Sequence, residues 1–168
     1  SAGSNQSIAI GYYSVATATE ADPALPATAV GAGANATGQS TVALGLLAQA
    51  TSGSTTALGA KSVASEDAAV AVGYGTKATG NYASALGADA TASNNDATAF
   101  GHGTVASGGS STALGSRAKA GGTAGVGIGM LANATNQYGV AIGGESSSSA
   151  DNSIAIGRKS SVTGESGI

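Results

Sequence analysis

The sequence has no cysteine, no tryptophan, one histidine and two prolines among 168 residues. Without cysteine there is no disulfide framework, no thiol nucleophile and no thiolate metal site. With aromatics at 4% there is little to stack on nucleic-acid bases. Charged residues make up only 9% and the net charge is −3, so no basic patch is available to hold phosphates and no nucleic-acid partner is expected. Large apolar side chains are also scarce. Val, Ile, Leu and Phe total 26 residues, too few for a conventional layered globule. The low charge argues equally against disorder, where charge and polarity keep a chain open. No apolar run approaches the roughly 20 residues that span a bilayer, so direct membrane insertion by this segment is not expected. No signal peptide stands at the start, and the chain reads as a piece of a longer protein.

What the sequence has instead is 38 Ala and 28 Gly, and they fall in register. Ile8-Ala9-Ile10-Gly11 recurs as Val42-Ala43-Leu44-Gly45, Val70-Ala71-Val72-Gly73, Thr98-Ala99-Phe100-Gly101 and Ile154-Ala155-Ile156-Gly157, with further copies between. The marker glycine falls every 14 residues from Gly31 to Gly157; only the first step, Gly11 to Gly31, is longer, at 20. Periodicity of this kind signals a repeat architecture. Places within the repeat are counted here from that glycine, which is place 0. Place 13 is large and apolar in all eleven copies, place 12 is Ala in ten, and place 5 is Ala in nine.

A 14-residue unit is too short for a helical hairpin repeat. Two short alternating runs, at places 10–13 and 3–5, read as strands, and the Gly-, Ser-, Thr- and Asn-rich stretches between them as turns. Two strands and two turns make one flattened coil. Each strand then pairs with its copy in the next coil, which makes the sheets parallel. The glycine is explained by a backbone angle or a close approach that a Cβ would forbid. Alternation divides the first strand into two faces. The large residues at places 11 and 13 are expected to point into the coil. The small residues at 10 and 12 are expected to face outward. No charge falls at places 10 or 12, so that outward face would be buried against another body, a partner subunit.

These residues resemble a known family. Asn152-Ser153-Ile154-Ala155-Ile156-Gly157-Arg158-Lys159-Ser160 is very close to the NSVAIGxxS repeat of YadA-like heads in trimeric autotransporter adhesins, and Gln6-Ser7-Ile8-Ala9-Ile10-Gly11-Tyr12-Tyr13-Ser14 is a second near match. The resemblance covers essentially residues 1–168. It implies an all-β fold, a left-handed parallel β-roll (solenoid) of about eleven 14-residue coils, assembled as a homotrimer with two further copies of itself. It implies the head of a bacterial surface adhesin attaching to host cells or extracellular-matrix proteins of collagen type by multivalent contact. The head would stand on the bacterial cell surface, anchored in the outer membrane through C-terminal parts outside this segment. Neck, stalk and membrane-anchor sequences are not represented here.

The resemblance places ligand contact at the two best motif matches. These are Ser7, Ile8, Ala9, Ile10, Gly11 and Ser14 near one end, and Asn152, Ser153, Ile154, Ala155, Ile156, Gly157 and Ser160 near the other. The middle copies put Thr or Ser at place 11, as at Thr56, Ser84, Thr98 and Thr112. A six-residue insertion within 18–25, carrying Glu20 and Asp22, reads as a surface loop, either a contact site or a tolerated excursion. Exposed Leu46-Leu47 and Met130-Leu131 occupy places 1 and 2 and read either as sticky spots for a protein ligand or as packing against a neighbouring chain. His102 lacks His or carboxylate partners one coil away. No metal, cofactor or catalytic residue is expected, and the chain is not read as an enzyme. An ice-binding β-solenoid is the alternative, with place 6 as a Ser/Thr row; a carbohydrate-cleaving β-helix would need a carboxylate cluster that the spacing does not supply.

Overall fold

The computed structural model describes residues 6–18 and 25–164. Each repeat contributes two strands. The first coil gives β1 (Ile8–Ile10) and β2 (Val15–Ala16), the second β3 (Thr28–Val30) and β4 (Asn35–Ala36), and the series runs on to β21 (Ile154–Ile156) and β22 (Ser161–Val162). The strands occupy places 11–13 and 4–5, slightly shorter than the alternating runs. The odd-numbered strands form one eleven-stranded sheet and the even-numbered strands another. All pairs are parallel and in register, place against place: Ser84 with Thr98, Ala85 with Ala99, Leu86 with Phe100. At about 4.8 Å per strand the eleven coils make a rod on the order of 50 Å long.

The interior corrects one expectation. Places 11 and 13 do not point into the coil; they point out, and the small residues at places 10 and 12 are the core. Ala29, Ala43, Ala57, Ala71 and Ala113 at place 12 are fully buried, as are Thr41, Thr55 and Ser111 at place 10. From the opposite strand Ala16, Ala36, Ala50, Ala64 and Ala78 at place 5 complete the same interior. Among the described residues no fully buried side chain is larger than Thr. The physical reason is thickness. Cα atoms of facing strands come within 8 Å of each other, whereas stacked sheets with ordinary side chains sit about 10 Å apart. Only methyl- and hydroxyl-sized groups fit that gap. Places 10 and 12 carry no charge because they are the coil's own interior, with no second body against them.

The two turns explain why the coil is so thin. They are near-copies, places 0–3 and 7–10, each closed by a bond from the fourth residue's N–H to the first residue's carbonyl, as Ala48 to Gly45 (3.3 Å) and Ala69 to Glu66 (3.1 Å). The third residue of each turn lies in the left-handed region: Leu47, Lys61 and Leu131 at place 2, and Ser54, Ala68, Tyr82 and Tyr138 at place 9, have φ between 54° and 60°. Non-glycine residues pay strain there. The stacking holds them in it, since each donates its N–H to the previous coil, Lys61 to Leu46 O at 2.8 Å and Tyr82 to Asp67 O at 2.8 Å. Inward Ser and Thr hydroxyls cap the turn carbonyls, as Ser62 to Gly59 O (2.8 Å) and Thr41 to Gly38 O (2.8 Å). These bonds satisfy polar groups that a dry interior would otherwise strand.

Place 0 needs glycine for both expected reasons. Gly143 has φ +129, and a Cβ there would stand 2.5 Å from the Gly157 carbonyl oxygen of the next coil. Its neighbour Gly144 has no such constraint, its nearest atom being 4.0 Å away. Gly143→Ala is therefore expected to cost at least about 2 kcal/mol, from a φ that alanine tolerates poorly and a contact that must open. Gly144→Ala is expected to be within about 0.5 kcal/mol of neutral. Denaturant midpoints of the two variants check this, and equal midpoints would refute the account.

Candidate functional site

Turning the large side chains outward gives the rod two different broad faces. On the sheet of even-numbered strands the outward residues at place 4 are mostly polar, including Gln49, Lys77, Thr91, Lys119 and Asn133. On the other sheet, places 11 and 13 form two columns along the whole rod, and neither column holds a charged residue. Place 13 runs Ile10, Val30, Leu44, Leu58, Val72, Leu86, Phe100, Leu114, Ile128, Ile142 and Ile156. Within the rod each of these is flanked by its copies above and below, which leaves Leu58 at 39%, Leu86 at 38% and Phe100 at 49% exposed.

A stripe of half-covered aliphatics eleven coils long far exceeds the scattered apolar residues of an ordinary surface. Complete burial of a Val, Leu or Ile is worth about 1.5–3 kcal/mol, and roughly half of that remains ungained on each exposed rung. The face is also repetitive at a fixed spacing. A second straight ladder of the same pitch can match it rung for rung, and a second copy of this chain supplies one.

The two edges of the rod are the turns. At places 1 and 2 the apolar character wraps around from place 13 at two heights, Leu46-Leu47 and Met130-Leu131, all about half exposed. Tyr12 and Tyr13 pack edge to face with centroids 4.1 Å apart. The Tyr13 hydroxyl, followed by slight desolvation, holds Tyr12 above the usual tyrosine value. Lys61 Nζ stands 5.7 Å from the Tyr74 ring centroid. Place 2 also carries an exposed ion pair, Lys159 to Glu145 at 3.8 Å, worth little in water. His102 is an exposed turn residue, and among the described residues no group of three His, Asp or Glu is placed to hold a metal.

The sequence-derived contact residues separate into two sets at opposite ends of the rod, ten strand spacings apart along the sheet. Within each set only some side chains face outward. Ile8, Ile10 and Ile156 are exposed rungs of the ladder, and Ile154 is a half-buried one. Asn152 is an exposed left-handed turn residue with φ 53°, and Gly11 and Gly157 are exposed place-0 glycines. Ala155 is buried, and Ala9 is half-buried against the core cluster. The serines serve the turns: Ser14 caps Gly11 O and Ser160 caps Gly157 O, both at 2.9 Å, and Ser153 caps Ala150 O at 2.7 Å. Ser7 Oγ accepts the Ala27 N–H at 3.1 Å. Of the insertion, residues 19–24 lie outside the described residues; Leu25 beside it is exposed. The ladder face itself went unrecognised in the sequence. Its signal was present, because small residues at all four of places 3, 5, 10 and 12 leave places 11 and 13 nowhere to go but outward.

A family model described as the YadA head domain repeat (2 copies) matches residues 2–21, 26–48, 50–76, 78–104, 106–132 and 134–160. Most of its windows take in two successive coils. Among solved structures, the crystal structure of the collagen-binding domain of the Yersinia adhesin YadA is similar at 24% identity. That match covers 94% of this chain and 78% of that one, with a TM-score of 0.37. No curated protein matches.

Adjacent residues distinguish the core from the ladder. Ala113 is fully buried at place 12 and Leu114 is 40% exposed at place 13. Ala113→Leu is expected to cost at least about 3 kcal/mol, through overpacking of a gap that cannot widen. Leu114→Ala is expected to keep the strand signal in circular dichroism and to cost less than half as much. The reverse order of the two midpoints would mean that the large residues are the core after all.

Proposed function

Because this chain belongs to the YadA head-repeat family, a family of adhesins, we propose that it forms the head of a trimeric surface adhesin that attaches to host cells or extracellular matrix. The observation that carries the reading is the uncharged ladder made by the large apolar residues of place 13 beside the Val, Ile, Thr and Ser of place 11. Three rods set ladder to ladder around one axis would cover it and leave the polar sheets and turns facing the surroundings. Each turn and polar rung would then be presented three times, and weak contacts repeated on a rigid body add through effective concentration. Low net charge suits contact with proteins more than with polyanions.

The ligand class that accompanies the family is matrix protein of collagen type, and the two motif-rich ends are the contact regions to test first. The place of action is the outer surface of a Gram-negative bacterium, with other parts of the protein holding the head to the outer membrane. The mechanism is binding, with no bond made or broken. The ice-binding alternative gains no support from the polar sheet, where Lys77, Lys119 and Gln49 interrupt any flat Thr array.

Light scattering after size exclusion tests the assembly. The expected mass is about 46 kDa, three times the 15.5 kDa chain. The double variant Leu86→Asp, Phe100→Asp places carboxylates on adjacent rungs and is expected to give a folded single chain. Its binding to immobilised collagen, fibronectin or laminin should fall at least about tenfold through lost multivalency. A monomeric wild-type chain, or a trimer indifferent to the two aspartates, would refute the ladder as the interface.

A further inference from the structure

The turn edge at places 7–9 carries a feature that the adhesin reading does not use. Across the second to fifth coils the surface sinks into a shallow depression of about 590 Å³. Its lining includes residues with little or no side chain, Gly38, Gly53 and Ala68, beside Gln39, Asp67 and Tyr82. The cause is local composition. Coils two and three carry small residues at places 7 and 9, Gly38, Ser40, Ser52 and Ser54, and the fourth has Ala68 at place 9. The fifth puts a tyrosine at place 9, so a ring 65% exposed closes one end of a hollow.

Asp67 is held in place through both its side chain and its backbone. One Asp67 carboxylate oxygen, Oδ1, accepts from the Ser52 hydroxyl and from the Gly53 N–H at 3.1 Å. The Asp67 N–H donates to Asn81 Oδ1 at 3.3 Å, and the Tyr82 N–H donates to the Asp67 carbonyl at 2.8 Å. The Asp67 carboxylate is thus preorganised, which lowers the ordering cost of binding, and Tyr82 follows it on the same backbone ladder. The lining includes Thr51, at the place where the chain leaves the polar sheet, and no residue of places 10–13. The hollow therefore opens on the polar side of the edge, away from the ladder face.

We propose that this depression is a binding subsite for a neutral saccharide. An exposed ring offers its electron-rich face to the C–H groups of a pyranose. The second carboxylate oxygen of Asp67 and the Gln39 amide suit hydroxyls, and the Ser54 hydroxyl both donates and accepts. A strand spacing of about 4.8 Å is close to the length of one sugar ring, so successive coils meet successive groups of a short oligosaccharide. The carboxylate disfavours sulfated and sialylated glycans. The site lies within one chain and does not depend on trimer formation.

The test uses the whole 168-residue chain and a defined panel. Lactose, N-acetyllactosamine, maltotriose, chitotriose and mannotriose are the neutral probes, and 3′-sialyllactose and a heparin disaccharide the acidic ones. Saturation-transfer NMR with titration should give a dissociation constant of roughly millimolar or tighter for at least one neutral sugar. Tyr82→Ala should weaken it at least tenfold and Asp67→Asn several-fold, with thermal midpoints unchanged. Tyr138→Ala, at the same place four coils on, should bind as wild type. The proposal is overturned by no neutral sugar binding, by acidic sugars binding as well, or by Tyr138→Ala losing as much as Tyr82→Ala. Matrix binding measured alongside separates this from the adhesin reading, because an unmutated chain that binds no neutral sugar yet trimerises and holds collagen sinks only the subsite.

Discussion

From Gly11 to Gly143 each place-0 glycine lies so near the next coil that a Cβ would stand 2.4–2.8 Å from its carbonyl oxygen, and the remaining architecture follows from that approach. Backbone meeting backbone at that point sets the coils at strand spacing and keeps the first turn tight. The second turn, built on the same pattern seven places later, closes equally tightly without an obligatory glycine at place 7. Two tight turns joined by strands of two and three residues leave an interior that admits methyl and hydroxyl groups only. A buried methyl contributes about 0.8 kcal/mol, so such a core is weak per residue. The hydrogen bonds that run along the rod do the ordering, and they hold the left-handed turn residues such as Leu47 and Lys61 in conformations these side chains would not choose alone.

The same constraint explains what the sequence reveals and what it conceals. Parallel pairing, the 14-residue coil and the double reason for glycine are all legible, because each follows from a strict period. Which face of the first strand points inward is not given by alternation, since a period of two defines two faces and names neither. Hydrophobicity ranks Leu44 and Leu58 as core and Thr41 and Thr55 as surface, and the structure has the opposite. Side-chain volume decides here, not polarity, since Thr can cap a turn carbonyl inside a thin coil and Leu cannot fit. The contact residues proposed from the motif were legible only as a string; the fold shows that Ser14, Ser153 and Ser160 in that string cap turns while Ile8, Ile10 and Ile156 face out.

An inside-out distribution of this kind is the physical ground for the proposed association. A lone rod offers water an uncharged, largely apolar stripe, and among the described residues no element covers it. Copies of the chain are the natural cover because their ladders share pitch, length and chemistry. In the proposed trimer, hydrophobic burial, which ordinarily stabilises a monomer from within, would be transferred to the interface between chains.

Once core and ladder are committed, the places free to vary are few. Places 0, 3, 5, 10 and 12 are held by turn geometry and thickness, and places 11 and 13 by the need for cover. What remains is place 4 and 6 on the polar sheet and the turn tips at 1, 2, 7, 8 and 9. The charges of the repeat fall at places 1, 2, 4, 7, 8 and 9, and the tyrosines at 1, 2 and 9. In the proposed adhesin, the chemistry that can vary from coil to coil therefore falls on the turn edges and polar face. Chemistry there changes from coil to coil while the scaffold beneath stays constant. The hollow bounded by Asp67 and Tyr82 is one place where such edge variation, over four successive coils, produces a concave surface on an otherwise straight rod.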